Sequence, residues 1–187
     1  MELIHAFPFL PSHETERLVL REMRLDTRMQ LVLKSPPALV KAFLAIQSDA
    51  EWEQQQLKAK LGKDSWNTPI CWFQLFDKQS GESIGSCGFH SWNVMHRRAE
   101  IGYALSDDRW KRKGFMTEAL DFVLDFGFQR LNLHRVEACI GPWNEASIAL
   151  IQKFGFSYEG KMREHYFKND IHEDSLLYAL LQKEYHV

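Results

Sequence analysis

The chain has 187 residues, a net charge of −2, 45% hydrophobic and 26% charged residues. That length suits one domain and that mixture a soluble globular chain with a sizeable core, while the near-neutral charge excludes a generally basic nucleic-acid binder. No apolar run approaches the roughly 18 residues of a membrane helix; Met1–His5 lacks the regions of a secretory signal, and widely spaced Cys71, Cys87 and Cys139 suit a reducing cytoplasm.

Residues 1–14, with Pro8 and Pro11, read as an extended arm. Glu16–Arg24 alternates Leu18 and Leu20 with Arg17 and Arg21, a strand pattern. From Asp26 to Gly62 the reading is helical: Asp26 serves as an N-cap, Pro36-Pro37 interrupts, Ser48 and Glu51 form a capping box before Trp52–Leu61, and Gly62 closes. Strands follow over Ile70–Asp77 and Glu82–His90, joined by a hairpin at Lys78–Gly81, and then over Arg98–Leu105. Ser106–Lys113 is charged and irregular. Met116, Ala119, Leu120, Val123, Leu124, Phe128 and Leu131 then keep the 3.6-residue period of a core-facing helix. Arg135–Ile140 is a short strand, Asn144 caps a helix through Phe154, and Gly155 ends it. Ser157–Phe167 and Ile171–Leu181 are the last strands, with Asn169-Asp170 at their turn. The order predicts a mixed α/β fold with a strand–helix–strand crossover in its middle.

The stretch Leu105–Ala119 carries the chemistry. Four of the five residues from Arg109 to Lys113 are basic, and Gly114 stands where a helix begins. The first amides of a helix lack internal partners and lie at the positive end of its dipole, so an anion is stabilised there. Taken alone, the run reads more simply as a solvated basic loop before an ordinary helix. Glu100 stands mid-strand between Ala99 and Ile101, where a carboxylate is either paired or available to take a proton from an amine. Asn144 is a helix cap, and Ser147 a first-turn residue with a hydroxyl able to give a proton.

Six pieces share an order and spacing: Thr15-Glu16-Arg17-Leu18 with Leu20-Arg21; Ala99-Glu100-Ile101-Gly102-Tyr103; Lys113-Gly114-Phe115-Met116-Thr117-Glu118-Ala119; His134-Arg135-Val136-Glu137-Ala138; Asn144-Glu145-Ala146-Ser147-Ile148; and Lys153-Phe154-Gly155-Phe156. In these the chain resembles the GNAT superfamily of N-acetyltransferases, in the branch of ribosomal-protein N-terminal acetyltransferases of the RimJ/RimL type. The resemblance runs from Thr15 to about Tyr185. It implies a single GNAT-type α/β domain over residues 1–187, with a mixed, mostly antiparallel sheet flanked by helices and splayed between two central parallel strands. It further implies direct acetyl transfer from acetyl-CoA to a primary amine, without a metal or a covalent acetyl-enzyme. Lys111, Arg112, Lys113, Gly114, Phe115 and Met116 would cradle the diphosphate, and Tyr103, Leu105, Asn144 and Lys153 complete the implied cofactor contacts. Glu100 would act as base and Ser147 as the acid that meets the departing thiolate. Lys111 and Met116 depart from the family loop, which carries Arg or Gln at the first position and Gly or Ala at the second.

The implied acceptor is a protein N-terminal α-amine in the cytoplasm, with a small amine (a polyamine, aminoglycoside or amino-acid-like molecule) as the alternative. A non-catalytic acyl-CoA-binding module, and ribosome contact through Arg109–Lys113, are the readings from other classes. Monomer and homodimer are both open. Gly81-Glu82-Ser83-Ile84-Gly85 matches a nucleophile pattern that needs a strand before the serine and a helix after it, and here it enters a strand instead. His172-Glu173 has no second ligand at metal-binding spacing, and Phe122, Phe126 and Phe128 read as core.

Overall fold

In a computed structural model, which describes residues 3–61, 71–168 and 170–185, the alternating segments become strands where the pattern places them. Gly62, Ile70 and Asn169, expected to close a helix, open a strand and make a turn, lie outside the described residues. The elements are β1 (Ser12–Glu14), β2 (Leu18–Arg24), α1 (Leu25–Lys34), α2 (Pro37–Phe43), α3 (Asp49–Leu61), β3 (Cys71–Asp77) and β4 (Ser83–Asn93). They continue with β5 (Arg98–Leu105), α4 (Phe115–Gln129), β6 (Arg135–Ile140), α5 (Glu145–Lys153), β7 (Ser157–Lys168) and β8 (Ile171–Leu181). The strands are hydrogen-bonded in the order β1-β2-β3-β4-β5-β6-β8-β7. The sheet is mixed and mostly antiparallel; β5 and β6, joined through α4, run parallel.

By contacts the chain forms two compact units, residues 1–91 with 102–124 and residues 92–101 with 125–187. In the first, Ile4, Phe7 and Leu10 of the arm pack with Val19 and Met23 of β2, Val40 and Phe43 of α2, Trp52 of α3 and Phe76 of β3. Phe43 meets Phe7 edge-on at 4.8 Å and Phe76 at 5.1 Å, geometries that favour ring pairs. The arm is therefore not simply extended: Leu3–His5 is a 3-10 turn, and Ser12–Glu14 pairs with β2.

That packing also encloses Arg21, which the alternation sets on the face opposite Leu18 and Leu20. Its side chain is buried, and its guanidinium donates to the carbonyls of Ile4 and Phe7 and, at 3.1 Å, of Leu10. Alternation showed two faces of β2, but the arm covers the second one. Asp26 is not the cap of α1. Arg24 leaves β2 extended and the helix starts at once, so Asp26 falls in the first turn and accepts the Thr27 amide at 2.8 Å. The capping box of α3 is half formed. Ser48 Oγ accepts the Glu51 amide at 3.2 Å, while the Glu51 carboxylate accepts from Gln47.

In the β3–β4 hairpin, the Asp77 carboxylate accepts from the Ser80 amide and hydroxyl at 2.9 and 2.7 Å. Ser83 lies in β4, where its hydroxyl donates to the Phe43 carbonyl and accepts from Gln74, both at 2.8 Å. It is a structural serine. A Cβ on Gly85 would stand 2.3 Å from the Ala104 carbonyl oxygen, so glycine allows β4 and β5 to approach.

In the second unit, β5 and β6 share three registered pairs, ending at Glu100↔Glu137. β6 continues to Ile140 against β8, pairing all six of its residues. Val136, Ala138, Ile140, Ile151, Phe156 and Leu180 are buried. α4 stops at Gln129, so Leu131 lies just beyond it, its amide reaching back to the Phe126 carbonyl at 3.1 Å.

Candidate active site

In the first unit, the chain leaves β5 at Leu105 and makes a 3-10 turn over Asp108–Trp110, fixed by the Asp107 carboxylate on the Arg109 amide at 2.8 Å. Arg112 and Gly114 then take left-handed conformations, with φ of 60° and 81°, and α4 begins at Phe115. The amide of Glu118 closes on the Gly114 carbonyl at 3.0 Å. The amides of Phe115, Met116 and Thr117, which precede it, have no carbonyl one turn back inside the helix to meet. These donors, at the positive end of a helix of 15 residues, suit a phosphate group.

Gly114 fits that use. A side chain there would be strained by its φ, and its Cβ would lie 3.2 Å from Arg17 Nη2. Met116, where the family has a small residue, turns its side chain into the core at 9% exposure. Only its backbone is left to meet a ligand. The basic side chains are less available than their sequence suggests: Arg109 pairs with Glu82, Lys111 with Asp108, and Lys113 lies over the Trp110 ring at 5.4 Å. Tyr103 and Leu105, at the end of β5, are half-buried.

One residue pair at this loop escaped sequence reasoning. Glu118 accepts from Thr15 Oγ1 at 2.5 Å and from both the amide and Nε of Arg17 at 2.7 Å. Arg17 also donates through Nη1 to the Lys113 carbonyl at 2.9 Å and lies over the Phe115 ring at 4.7 Å. Burial pushes the Glu118 carboxyl up, but the Thr15 and Arg17 contacts together outweigh it and hold it below its ordinary value. Arg17 and Glu118 are 101 residues apart. Both stand in pieces of the family resemblance, yet nothing local signals that they pair.

In the second unit, Glu100 is half-buried and accepts from the Tyr166 hydroxyl at 3.3 Å. The neighbouring Arg98 guanidinium pairs with Glu137 at 2.9 Å. Burial, and then the charge of Glu100, push the Cys139 thiol up to about 12. A thiol raised in this way is a poor nucleophile at neutral pH. The same two causes raise the Tyr166 hydroxyl above its ordinary value.

Asn144 caps α5 as expected, its Oδ1 accepting the Ser147 amide at 3.2 Å. The pair places Ser147 in the first turn, half-buried. Lys153 closes the same helix, exposed and about 9 Å along the axis from Ser147. Among the described residues, no group of three His, Cys, Asp or Glu could hold a metal ion. No described helix is long and apolar enough to cross a membrane.

Comparison with known proteins identifies the family. The chain is 35% identical over 173 residues to an uncharacterised N-acetyltransferase, p20, of Bacillus licheniformis, covering 91% of this chain and 96% of the relative. It is 34% identical over 105 residues to the putative ribosomal N-acetyltransferase YdaF of Bacillus subtilis, covering 56% and 57%. A solved mutant of the spermidine N-acetyltransferase SpeG from Vibrio cholerae superposes with a TM-score of 0.60 at 28% identity, covering 72% of this chain and 76% of that one. The family model described as the acetyltransferase (GNAT) domain matches residues 17–157. With that span matched, the chain belongs to the GNAT family and is an acetyl-CoA-dependent N-acetyltransferase.

Proposed function

We propose that this enzyme acetylates the N-terminal α-amine of a protein, of the ribosomal-protein type. The observation that carries the choice of acceptor is the character of the β7–β8 hairpin end. His165 packs on Tyr166 at 4.5 Å and Phe167 on His172 at 4.8 Å, and Phe167 and Ile171 are exposed. Exposed rings and apolar side chains suit a peptide, whose backbone and first side chains are largely uncharged; Glu164, Asp170, Glu173 and Asp174 of the same hairpin are the groups a polycation would use, and of these Asp174 is already held by Lys161. The likeness to YdaF supports the same reading. The likeness to SpeG keeps a polyamine as the second one.

In this reading residues 1–187 act as one catalytic domain, as the family match across parts of both units supports. Acetyl-CoA supplies the acetyl group as an activated thioester. The loop Lys111–Met116, with Gly114 bare, holds its diphosphate through amides other than that of Lys111, which donates to the Asp108 carbonyl at 3.0 Å; Tyr103, Leu105, Asn144 and Lys153 supply further contacts to it. An α-amine with a pKa near 8 is mostly protonated at neutral pH, and only its free base attacks an acyl carbon. Glu100 takes that proton, and Ser147 gives one to the departing sulfur. A cytoplasmic setting fits three free thiols, Cys71, Cys87 and Cys139.

The test mixes the enzyme with acetyl-CoA and a panel of Ala-, Ser- and Met-starting peptides, spermidine and an aminoglycoside, following free thiol and locating the acetyl group by mass spectrometry. Peptide α-amines turned over with the highest kcat/KM support the proposal. Turnover confined to the small amines refutes it.

A further inference from the structure

β7 does not pair evenly with β8. Its register runs to Met162↔Ser175 and resumes at Tyr166↔Glu173, so Arg163, Glu164 and His165 stand opposite a single residue, Asp174. An unbroken ladder would set Tyr166 opposite Ile171; the bulge moves it two places along β8, about 7 Å. The bulge is secured on both sides. Glu164 is left-handed at φ 53°, a conformation unfavourable for a residue with a side chain, and its amide donates to the Asp174 carboxylate at 2.8 Å. Lys161 holds that carboxylate at 2.5 Å, and the His165 ring meets the fully buried Ser175 hydroxyl at 3.1 Å. Bulges re-aim side chains beside functional sites. Here the re-aimed residue is Tyr166, whose hydroxyl reaches Glu100.

We propose that Tyr166 is a positioning residue of this transferase: held by the bulge, it donates a hydrogen bond that keeps the Glu100 carboxylate in one orientation for the acceptor ammonium. The proposal rests on the reading of Glu100 as the base. Tyr166 keeps its proton in this setting, because burial and the Glu100 charge both raise its hydroxyl. It orients the base and takes no part in the proton transfer.

A double-mutant cycle tests this with the amine of the panel above that releases most thiol. Tyr166→Phe keeps the ring and loses the donor. The expected result is a kcat about 10-fold lower, the scale of a hydrogen bond to a charged group. KM for acetyl-CoA and the melting temperature stay as in the wild type, and Tyr166→Phe adds nothing further in a Glu100→Gln background. Losses that simply multiply in the double mutant, or a Tyr166→Phe enzyme with full kcat beside a slow Glu100→Gln enzyme, overturn this proposal alone. Full kcat in Glu100→Gln overturns the base assignment first and this proposal with it. A second measurement needs no acceptor: alkaline titration of tyrosine absorbance. The tyrosine whose signal is missing in Tyr166→Phe ionises at lower pH in Glu100→Gln than in the wild type. An unmoved titration refutes the contact.

Discussion

Replacing Glu118 with alanine removes the hub between the start of β2 and the first turn of α4. The carboxylate accepts three hydrogen bonds, from Thr15 Oγ1, the Arg17 amide and Arg17 Nε, and its side chain is only 15% exposed. A hydrogen bond to a charged group contributes about 1.5–3 kcal/mol. Arg17 is 42% exposed, so water recovers part of what its guanidinium loses. The expected cost is therefore about 2–3 kcal/mol, not the sum of three bonds, and the melting temperature falls by about 5–10 °C. Glu118→Gln keeps an acceptor oxygen and loses the charge, costing about 1 kcal/mol. The ligand effect is the more telling one. Arg17 also grips the Lys113 carbonyl, so the loop ahead of α4 loses its anchor and coenzyme A binding weakens about 10-fold by calorimetry in Glu118→Ala. Because the folded carboxyl titrates below its ordinary value, its contribution is complete above about pH 4.3 and is lost as pH falls through the folded value. The alanine variant should show a smaller loss of stability on acidification than the wild type. A Glu118→Ala protein that melts within about 1 °C of the wild type and binds coenzyme A equally well would refute the clamp.

Gly114→Asp adds both a side chain at φ 81° and a negative charge where the diphosphate is proposed to sit, and coenzyme A binding by calorimetry should be lost altogether. Gly114→Ala, strained but uncharged, should retain measurable affinity. Ser147→Ala leaves the backbone amide that Asn144 accepts, so coenzyme A affinity stays while kcat falls about 10- to 100-fold; an unchanged kcat removes the hydroxyl from the reaction. Arg21→Met leaves the carbonyls of Ile4, Phe7 and Leu10 without their shared donor, and urea unfolding should show a loss of about 3 kcal/mol with coenzyme A affinity intact.

These variants separate what was legible in the sequence from what was not. Asn144 and Ser147 could be read because a helix cap is written within four consecutive residues and its hydrogen bond is local. The place of Gly114 just before α4 could be read because the helical period starts right after it. Arg21 could not: a strand pattern gives the parity of a side chain but not whether a distant segment covers its face, and here the arm does. The partners of the basic run could not be read for a related reason, since charge counts carry no information on the Glu82 and Asp108 carboxylates that pair with Arg109 and Lys111. Tyr166 was hidden more deeply. Its contact with Glu100 depends on a bulge that sets three residues against one, and hydrophobic alternation through β7 survives that insertion unchanged in parity. Even-numbered slips leave the period-2 pattern intact while moving a side chain about 7 Å along its neighbour, so a contact such as that of Tyr166 with Glu100 is invisible to the periodicity that reveals the strands.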